Sequence, residues 1–217
     1  MHRAVLFDFG GVIVSSPFEA FNAYEATHGL PHNFIRSVNS VNPHDNAWAK
    51  LERNDITPAE FDAVFAAECL TLGHRVAGSD VLALLSGDLR PEMVHALDLL
   101  KSAGYIIACL TNNVLSHQSI NPTKSEVLRQ DVLGRFDAII ESSKIGVRKP
   151  ELRFYEIACT IISVKPDECV FLDDLGINLK PAAAMGMTTI KVTSSSQALA
   201  ELSQVLSLEI GTHNAPN

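Results

Sequence analysis

The sequence of 217 residues lacks several features that are typical of large protein classes. No apolar stretch approaches the roughly 20 residues that span a bilayer, so we expect no membrane-embedded segment. Positive charge is scarce, since 17 Lys and Arg stand against 25 Asp and Glu. The resulting net charge of −8 argues against a surface that binds nucleic acid or an anionic membrane. A small phosphorylated substrate remains compatible with this charge, because a bound cation can invert the local field.

The cysteines and the first residues bear on the compartment. The four cysteines show no C-x-x-C spacing, and Cys109 and Cys169 lie in apolar runs where they predict small core residues with reduced thiols. Met1-His2-Arg3 leads directly into a short strand, so we expect no signal peptide. These observations together predict a cytoplasmic protein. The choice between a monomer and a homodimer stays open.

Apolar residues follow a helical pattern in one long segment and alternate between helix and strand in the rest. Residues 15–88 predict helices only, and Thr57-Pro58-Ala59-Glu60 forms a capping box with Pro at the first helical position. A strand is expected at 4–9, and further strands at 105–110, 136–140, 169–172 and 188–192. Helices are expected at about 91–103, 122–133, 151–162, 178–185 and 196–207. This alternation predicts an α/β fold, in which helices cover both faces of a parallel sheet.

Polar side chains stand where the predicted strands end. Asp8 closes the first apolar run and precedes a Gly-Gly turn, Thr111 ends a second run, and Asp173-Asp174 ends a third. Carboxylates are rare inside apolar segments unless they are paired or hold a cation. Because ligands bind beyond the carboxyl ends of parallel strands, these residues predict one Mg²⁺-type pocket with a carboxylate nucleophile. No G-x-x-x-x-G-K-[ST] loop and no G-x-S-x-G elbow offers a competing site.

Four segments in this order carry a resemblance to a known family. They are Leu6-Phe7-Asp8-Phe9-Gly10-Gly11-Val12, Leu110-Thr111-Asn112-Asn113, Gly146-Val147-Arg148-Lys149-Pro150-Glu151 and Phe171-Leu172-Asp173-Asp174. The chain resembles the haloacid-dehalogenase (HAD) superfamily of aspartate-nucleophile hydrolases. The run 175–181 is similar to the branch with the N-terminal phosphatase domain of soluble epoxide hydrolase, and to HAD domains fused to acyl-CoA dehydrogenases. The resemblance implies a Rossmann-like α/β core at 1–14 and 89–210, with an inserted α-helical cap at 15–88.

The resemblance also implies roles for individual side chains. Asp8 would attack phosphorus and form an aspartyl-phosphate, which divides a difficult hydrolysis into two easier steps. Thr111 and Asn112 would hold the transferring phosphoryl oxygens. Lys149 would neutralise the charges of Asp8 and the phosphate. Outside this context, Thr-Asn after a strand is common turn chemistry.

The implied cofactor is Mg²⁺. Asp8, the backbone carbonyl of Gly10 and the carboxylate of Asp174 would form the protein's share of its ligands, with water and phosphate completing the shell. Asp173 would bind the ion directly or through water, and helix capping is its alternative role. The implied function is a Mg²⁺-dependent phosphatase that acts on a small phosphorylated metabolite.

The chain departs from the family pattern at Gly10. Most HAD phosphatases carry a second Asp there, which serves as general acid and then as general base, and such assistance is worth typically ~10²–10⁴ in rate. Two alternatives therefore stay open. One is a 2-haloacid dehalogenase, in which Asp8 attacks carbon and Mg²⁺ is generally not needed. The other is a catalytically weak HAD domain that binds a phosphorylated ligand or a partner protein.

The cap residues that face the substrate are not fixed by the sequence. Trp48, Lys50 and Arg53 are candidates for this role. The alternative interpretation is one packed aromatic ring with two solvated charges. The identity of the substrate stays open for the same reason.

Overall fold

A five-stranded parallel sheet forms the centre of the structure, a computed structural model that describes residues 1–113 and 123–210. Its strands are β1 (Ala4–Phe7), β2 (Ile106–Thr111), β3 (Ala138–Glu141), β4 (Cys169–Asp173) and β5 (Thr188–Lys191). They are arranged in the order β3-β2-β1-β4-β5, with β1 hydrogen-bonded to both β2 and β4. The strand order therefore reverses beside β1, and the carboxyl ends of β1, β2 and β4 lie next to one another at the place where open α/β sheets bind ligands.

Of the six helices between β1 and β2, the first five share an apolar core of their own. They are α1 (Pro17–Thr27), α2 (Phe34–Ser40), α3 (Ala47–Glu52), α4 (Pro58–Thr71) and α5 (Gly78–Ala83). Trp48, Phe61 and Phe65 pack together inside this core, and the rings of Phe61 and Phe65 stack with centroids 5.2 Å apart. The predicted capping box at the start of α4 is confirmed, because Thr57 and Glu60 each accept a hydrogen bond from the other's backbone N–H. Residues 15–88 are called the helical insert below.

The remaining helices cover the two faces of the sheet. They are α6 (Pro91–Ser102), α7 (Lys124–Leu133), α8 (Ser142–Ile145), α9 (Leu152–Ile162), α10 (Gly176–Ala184) and α11 (Ser195–Leu206). Successive residues of β1 point to opposite faces, since Phe7 belongs to the apolar cluster of α6 and α11 while Leu6 belongs to that of α9 and α10. The predicted α/β fold is thus confirmed, as are the core positions of Cys109 and Cys169, which are fully buried. The short helix α8 was not expected from the sequence pattern.

Within the described part of the chain, no helix has both the length and the apolar composition that a membrane span requires. The predicted helix that starts near residue 122 begins at Lys124, after a segment that lies outside the described residues. Its capping residue is Thr123, whose hydroxyl accepts a hydrogen bond from the backbone N–H of Glu126.

The two connections between the sheet and the helical insert run side by side. Val14 and Leu89 form an antiparallel bridge, and the N–H of Ser15 donates to the carbonyl of Asp88 at 2.8 Å. Gly87 packs so closely here that a β-carbon in its place would lie 2.6 Å from the carbonyl oxygen of Ser15. The insert therefore leaves and rejoins the sheet at one tightly packed joint beside the end of β1.

Gly87→Ala should lower the free energy of unfolding by about 1–3 kcal/mol, because the added methyl group overlaps a backbone oxygen that cannot rotate away. Thermal unfolding followed by circular dichroism measures the change. Gly176→Ala is the matched control, since a β-carbon at Gly176 meets no atom within 4 Å. Equal melting temperatures for the two variants would contradict the close packing of the joint.

Candidate active site

Residues from four separate segments meet at the carboxyl end of the sheet. Asp8 directly follows β1, Thr111 ends β2 and Asp173 ends β4, while Lys149 lies in the loop between α8 and α9. The ammonium nitrogen of Lys149 is 2.9 Å from Oδ1 of Asp8 and 2.8 Å from Oδ2 of Asp173. The structure therefore brings together in space three residues that lie far apart in the sequence.

Asp8 is a buried carboxylate in a fixed orientation. Only 8% of the residue is exposed. Its Oδ1 accepts a hydrogen bond from the backbone N–H of Phe9 at 2.7 Å and forms an ion pair with Lys149 Nζ at 2.9 Å. Within residues 1–113 and 123–210, no group donates a hydrogen bond to Oδ2 of Asp8. One oxygen of the carboxylate is thus held by donors and the other is free to react or to bind a cation.

Lys149 carries its charge in the interior. Only 1% of the residue is exposed, and burial by itself disfavours an ammonium ion. The carboxylates of Asp173 and Asp8 outweigh this burial and raise the pKa of Lys149, so the side chain stays protonated. The Lys149–Pro150 peptide bond is cis, and α9 begins two residues after Pro150.

Asp173 uses both of its oxygens to hold other groups. Oδ1 accepts from the backbone N–H of Leu175 at 2.8 Å and from Nδ2 of Asn178 at 3.1 Å. Oδ2 accepts from Lys149 Nζ and again from Asn178 at 3.0 Å. This pattern supports a role for Asp173 as the anchor of Lys149 and of the first turn of α10. The predicted direct contact of Asp173 with a metal ion stays a prediction.

Asn178 belongs to the candidate site but was not predicted from the sequence. It is buried and donates to both oxygens of Asp173. It lies one turn after Asp173-Asp174, inside the run 175–181 that carries the resemblance to the epoxide hydrolase branch. An amide on the first turn of a helix that follows an acidic strand end is the signal that could have identified it.

Three carboxylates lie close together, and the single positive charge of Lys149 does not balance their negative charges. Asp8, Asp173 and Asp174 each offer an oxygen, and these oxygens lie within 4.8 Å of one another. Burial raises the pKa of Asp8 to about 7, against the opposing charge of Lys149 and with help from Asp173. Burial and the charge of Asp173 likewise raise the pKa of Asp174 to about 6. Such an all-oxygen, under-neutralised cluster fits a hard divalent cation such as Mg²⁺.

Gly11 makes room for Asp174 beside Asp8. Its φ is +75°, and a β-carbon at this position would lie 2.3 Å from Oδ2 of Asp174. Gly10 is different, since a β-carbon there meets no atom within 4 Å. Both glycines belong to the turn that the sequence predicts after Asp8. The structure shows that Gly11 is required by backbone conformation and by contact, whereas Gly10 leaves space for a side chain.

The two predicted phosphate-binding residues differ in how their side chains are used. Thr111 is half-buried at the end of β2, and its hydroxyl has no hydrogen-bond partner among the described residues. Asn112 has its side-chain amide fully engaged, since Oδ1 accepts from the N–H of Lys149 at 2.8 Å and Nδ2 donates to Lys149 O at 2.9 Å and to Glu52 at 3.1 Å. Thr111 is therefore available to a phosphoryl group, while the side chain of Asn112 positions the lysine.

The candidate substrate-facing residues of the helical insert have partners of their own. Trp48 packs edge-on against Phe61 in the apolar core of the insert. Arg53 pairs with Asp55 at 2.9 Å and with Glu151 at 3.5 Å. Lys50 lies 3.6 Å from Asp45. The packing of Trp48 supports the alternative in which it is a packed aromatic residue.

Known proteins resemble the chain over nearly its whole length. It is 32% identical over 222 residues to acyl-CoA dehydrogenase family member 10 of Mus musculus, which covers 98% of the chain and 20% of that protein. It is 30% identical to bifunctional epoxide hydrolase 2 of Rattus norvegicus, over 94% of the chain and 38% of the relative. A sesquiterpene phosphatase of Aspergillus oryzae is 27% identical, over 94% of the chain and 96% of the relative. The chain thus spans about a fifth of the first relative and under two fifths of the second.

Solved structures share the fold. A HAD family enzyme of Bacteroides thetaiotaomicron, in complex with magnesium and inorganic phosphate, aligns with a TM-score of 0.63 and 20% identity over 93% of this chain and 99% of that one. An L-2-haloacid dehalogenase of Xanthobacter autotrophicus aligns with a TM-score of 0.61 and 20% identity over 98% and 85%.

A family model matches most of the chain, including all four of the motif segments. Residues 2–186 match the haloacid dehalogenase-like hydrolases, and this range includes the buried Lys149 and the three carboxylates of Asp8, Asp173 and Asp174. Together with the two relatives that the sequence resemblance anticipated, this match decides the family. The chain belongs to the haloacid dehalogenase-like hydrolases and is a hydrolase of that family.

Proposed function

We propose that this hydrolase is a Mg²⁺-dependent phosphatase that cleaves a phosphomonoester of a small metabolite. The observation that carries the proposal is the buried cluster in which Lys149 contacts Asp8 while Asp174 lies beside them. This arrangement offers a nucleophile, a fixed positive charge and a cation site within one small space. The phosphatase of Aspergillus oryzae and the magnesium- and phosphate-bound enzyme of Bacteroides thetaiotaomicron add support from related proteins.

The metal site of the proposal consists of Asp8, the backbone carbonyl of Gly10 and Asp174, with Asp173 contributing through water. Ser16, whose hydroxyl lies 3.5 Å from Asp174 Oδ2, helps to orient that carboxylate. Bound Mg²⁺ supplies positive charge that offsets the repulsion between a carboxylate and a phosphate and stabilises the charge of the transition state.

The first chemical step belongs to Asp8. A carboxylate oxygen of Asp8 attacks phosphorus, and the bond between phosphorus and the leaving oxygen breaks, which gives an aspartyl-phosphate. Lys149 remains protonated and neutralises negative charge on Asp8 and the phosphoryl group. The hydroxyl of Thr111 donates to a phosphoryl oxygen. In the second step water attacks phosphorus, the bond to Asp8 breaks, and inorganic phosphate leaves.

The missing side chain at Gly10 shapes the range of substrates. With no carboxyl group there, the leaving oxygen departs as an anion or takes its proton from water, which favours phosphates of acidic alcohols and phenols. The loss of general acid–base assistance costs ~10²–10⁴ in rate. Enzymatic phosphomonoester hydrolysis reaches accelerations of up to ~10²¹, so a substantial catalyst remains.

The helical insert acts in this proposal as the cap that closes over the site. It starts and ends beside β1, and it contacts the loop that carries Lys149 through the pair of Arg53 and Glu151. Closure of such a unit excludes water and completes the site. Residues 15–88 would then select the substrate, while the core at 1–14 and 89–210 performs the chemistry.

Two other functions make different predictions. A 2-haloacid dehalogenase would release halide from 2-chloropropionate without metal, and the dehalogenase of Xanthobacter autotrophicus shares the fold. A binding module would bind phosphate or a partner without turnover. The three clustered carboxylates favour the metal-dependent phosphatase over both.

Asp8→Asn should abolish the hydrolysis of p-nitrophenyl phosphate, because an amide cannot act as the nucleophile. Release of p-nitrophenolate in Mg²⁺, compared with release in a chelator, measures the activity. Asp131→Asn serves as the control, since Asp131 forms only an exposed pair with Arg135. Equal activity of Asp8→Asn and wild type would rule out Asp8 as the nucleophile, and halide release without Mg²⁺ would favour the dehalogenase.

Gly11→Ala should weaken Mg²⁺ binding strongly, because its β-carbon takes the space of the Asp174 carboxylate. The shift in melting temperature on adding Mg²⁺ reports this, since a free concentration of ~100 times Kd stabilises a folded protein by about 2.7 kcal/mol. Gly10→Ala keeps the backbone carbonyl and meets no nearby atom, so it should retain the shift. A full Mg²⁺ shift in Gly11→Ala would show that Asp174 does not bind the ion.

Gly10→Asp should raise kcat/KM for an alkyl phosphate by more than about tenfold, because a carboxyl group there protonates a poor leaving group. The gain for p-nitrophenyl phosphate should be smaller, since its leaving group needs no proton. Gly10→Asn has nearly the same size and cannot exchange a proton, so it is the matched control. Similar rates for the two variants on the alkyl phosphate would show that the absent acid does not limit turnover.

A further inference from the structure

A carboxylate of the helical insert reaches into the core next to the catalytic lysine. Glu52 ends α3, and its side chain is only 15% exposed. It accepts hydrogen bonds from Nδ2 of Asn112 at 3.1 Å and from Nε of Arg148. Burial raises the pKa of Glu52, and the guanidinium of Arg148 is the largest opposing influence. None of the family motifs includes Glu52, and the proposed chemistry does not use it.

The side-chain amide of Asn112 forms hydrogen bonds with both backbone polar groups of Lys149. Its Oδ1 accepts from the N–H of Lys149 at 2.8 Å, and its Nδ2 donates to the carbonyl of the same residue at 2.9 Å. The second hydrogen on Nδ2 points to Glu52. The planar amide of Asn112 therefore has each of its groups assigned to a specific partner.

Glu52 reinforces the orientation of this amide that the N–H and the carbonyl of Lys149 already favour. If the amide turned by 180°, Oδ1 would face the carboxylate of Glu52, and two acceptors would meet without a proton between them. The same turn would place Nδ2 against the N–H of Lys149. A buried, charged acceptor thus adds to the two Lys149 contacts a third restraint on the orientation of Asn112.

Further contacts show that this is where the insert docks on the core. Nη1 of Arg148 donates to the carbonyl of Pro43 at 2.9 Å, and Arg53 pairs with Glu151 at 3.5 Å. The docking surface, consisting of Pro43, Glu52 and Arg53 on the insert, meets the loop on either side of Lys149. Of these three residues, Glu52 is the one that accepts a hydrogen bond from Asn112.

We propose that Glu52 is a positioning residue, through which docking of the insert orients Asn112 and so sets Lys149 against Asp8. The kinetic part of this inference rests on the proposed phosphatase function, whereas the structural part does not. Closure of the insert and placement of the lysine are then one event. The site reaches its working geometry only when the insert is docked.

The kinetic test compares Glu52→Ala with Glu151→Gln, which weakens a neighbouring contact of the same docking surface without touching Asn112. Glu52→Ala should lower kcat for p-nitrophenyl phosphate by about 10–100-fold, the usual effect of removing a partner that orients a site residue. Glu52→Gln retains an acceptor for Asn112 and should recover part of the loss. Glu151→Gln loosens the docked insert but keeps the contact of Glu52 with Asn112, so its loss of kcat should be smaller than that of Glu52→Ala. Equal kcat in wild type and Glu52→Ala would overturn the inference and leave the proposed function standing.

A double-mutant cycle separates positioning through Asn112 from a general loss of structure. In the Asn112→Ala background, Glu52→Ala should cause no further fall in kcat, because the group through which it acts is gone. Full additivity of the two losses would show that Glu52 does not act through Asn112.

Amide hydrogen exchange tests the structural part without turnover. The N–H of Lys149 should exchange faster in Glu52→Ala than in wild type and Glu151→Gln, whereas the N–H of Leu6 in β1 should be equally protected in all three. Unchanged exchange at Lys149 in Glu52→Ala would overturn the inference. If wild-type protein hydrolyses no phosphate ester, the proposed function fails, and the exchange experiment still decides the role of Glu52.

Discussion

The ammonium group of Lys149, buried between the carboxylates of Asp8 and Asp173, is the interaction on which the rest of the site depends. An isolated charge in this position would be costly, and removing one partner of a buried ion pair typically costs about 3–5 kcal/mol. The two carboxylates keep the lysine charged, and the lysine in turn allows two acidic groups to lie close together. Asp8 therefore reaches a buried, oriented state that is suited to attack on an electrophile.

The fold supplies this arrangement through its topology. Because β1 is paired with both β2 and β4, residues at the three strand ends become neighbours although long segments separate them in the sequence. Gly11 lets Asp174 approach the end of β1, and Asn178 fixes Asp173 from the first turn of α10. The helical insert adds Glu52, which accepts a hydrogen bond from Asn112. The sheet, helix α10 and the helical insert thus each restrain the cluster of charged residues around Lys149.

The sequence predicted those parts of the site that lie on regular elements. Strand ends with polar residues revealed Asp8, Thr111 and Asp173-Asp174, because a parallel sheet places such ends together. The capping box of α4 followed from local side-chain chemistry. The position of Lys149 came from the family resemblance alone, since a loop residue carries no periodic signal.

The sequence did not predict the contacts of the helical insert with the core, nor the close approach of Asp174 to Gly11. Glu52 sits at the end of a six-residue helix, and nothing in the local pattern distinguishes it from a solvated acid. Its role depends on how the helical insert packs against the loop around Lys149, which is a long-range property of the fold. The two glycines could not be told apart either, because the need for Gly11 arises from the approach of Asp174, more than 160 residues later in the sequence.

The central claim is that Asp8 accepts the phosphoryl group. Since Gly10 provides no base for the breakdown step, the intermediate should accumulate with a good leaving group, so acid quench of the protein mixed with p-nitrophenyl phosphate and Mg²⁺ is the most direct measurement. Tandem mass spectrometry should then find a phosphoryl group on the peptide that contains Asp8, after a burst of about one p-nitrophenolate per molecule. A phosphoryl group on a different residue, or turnover that survives the replacement of Asp8, would contradict the account.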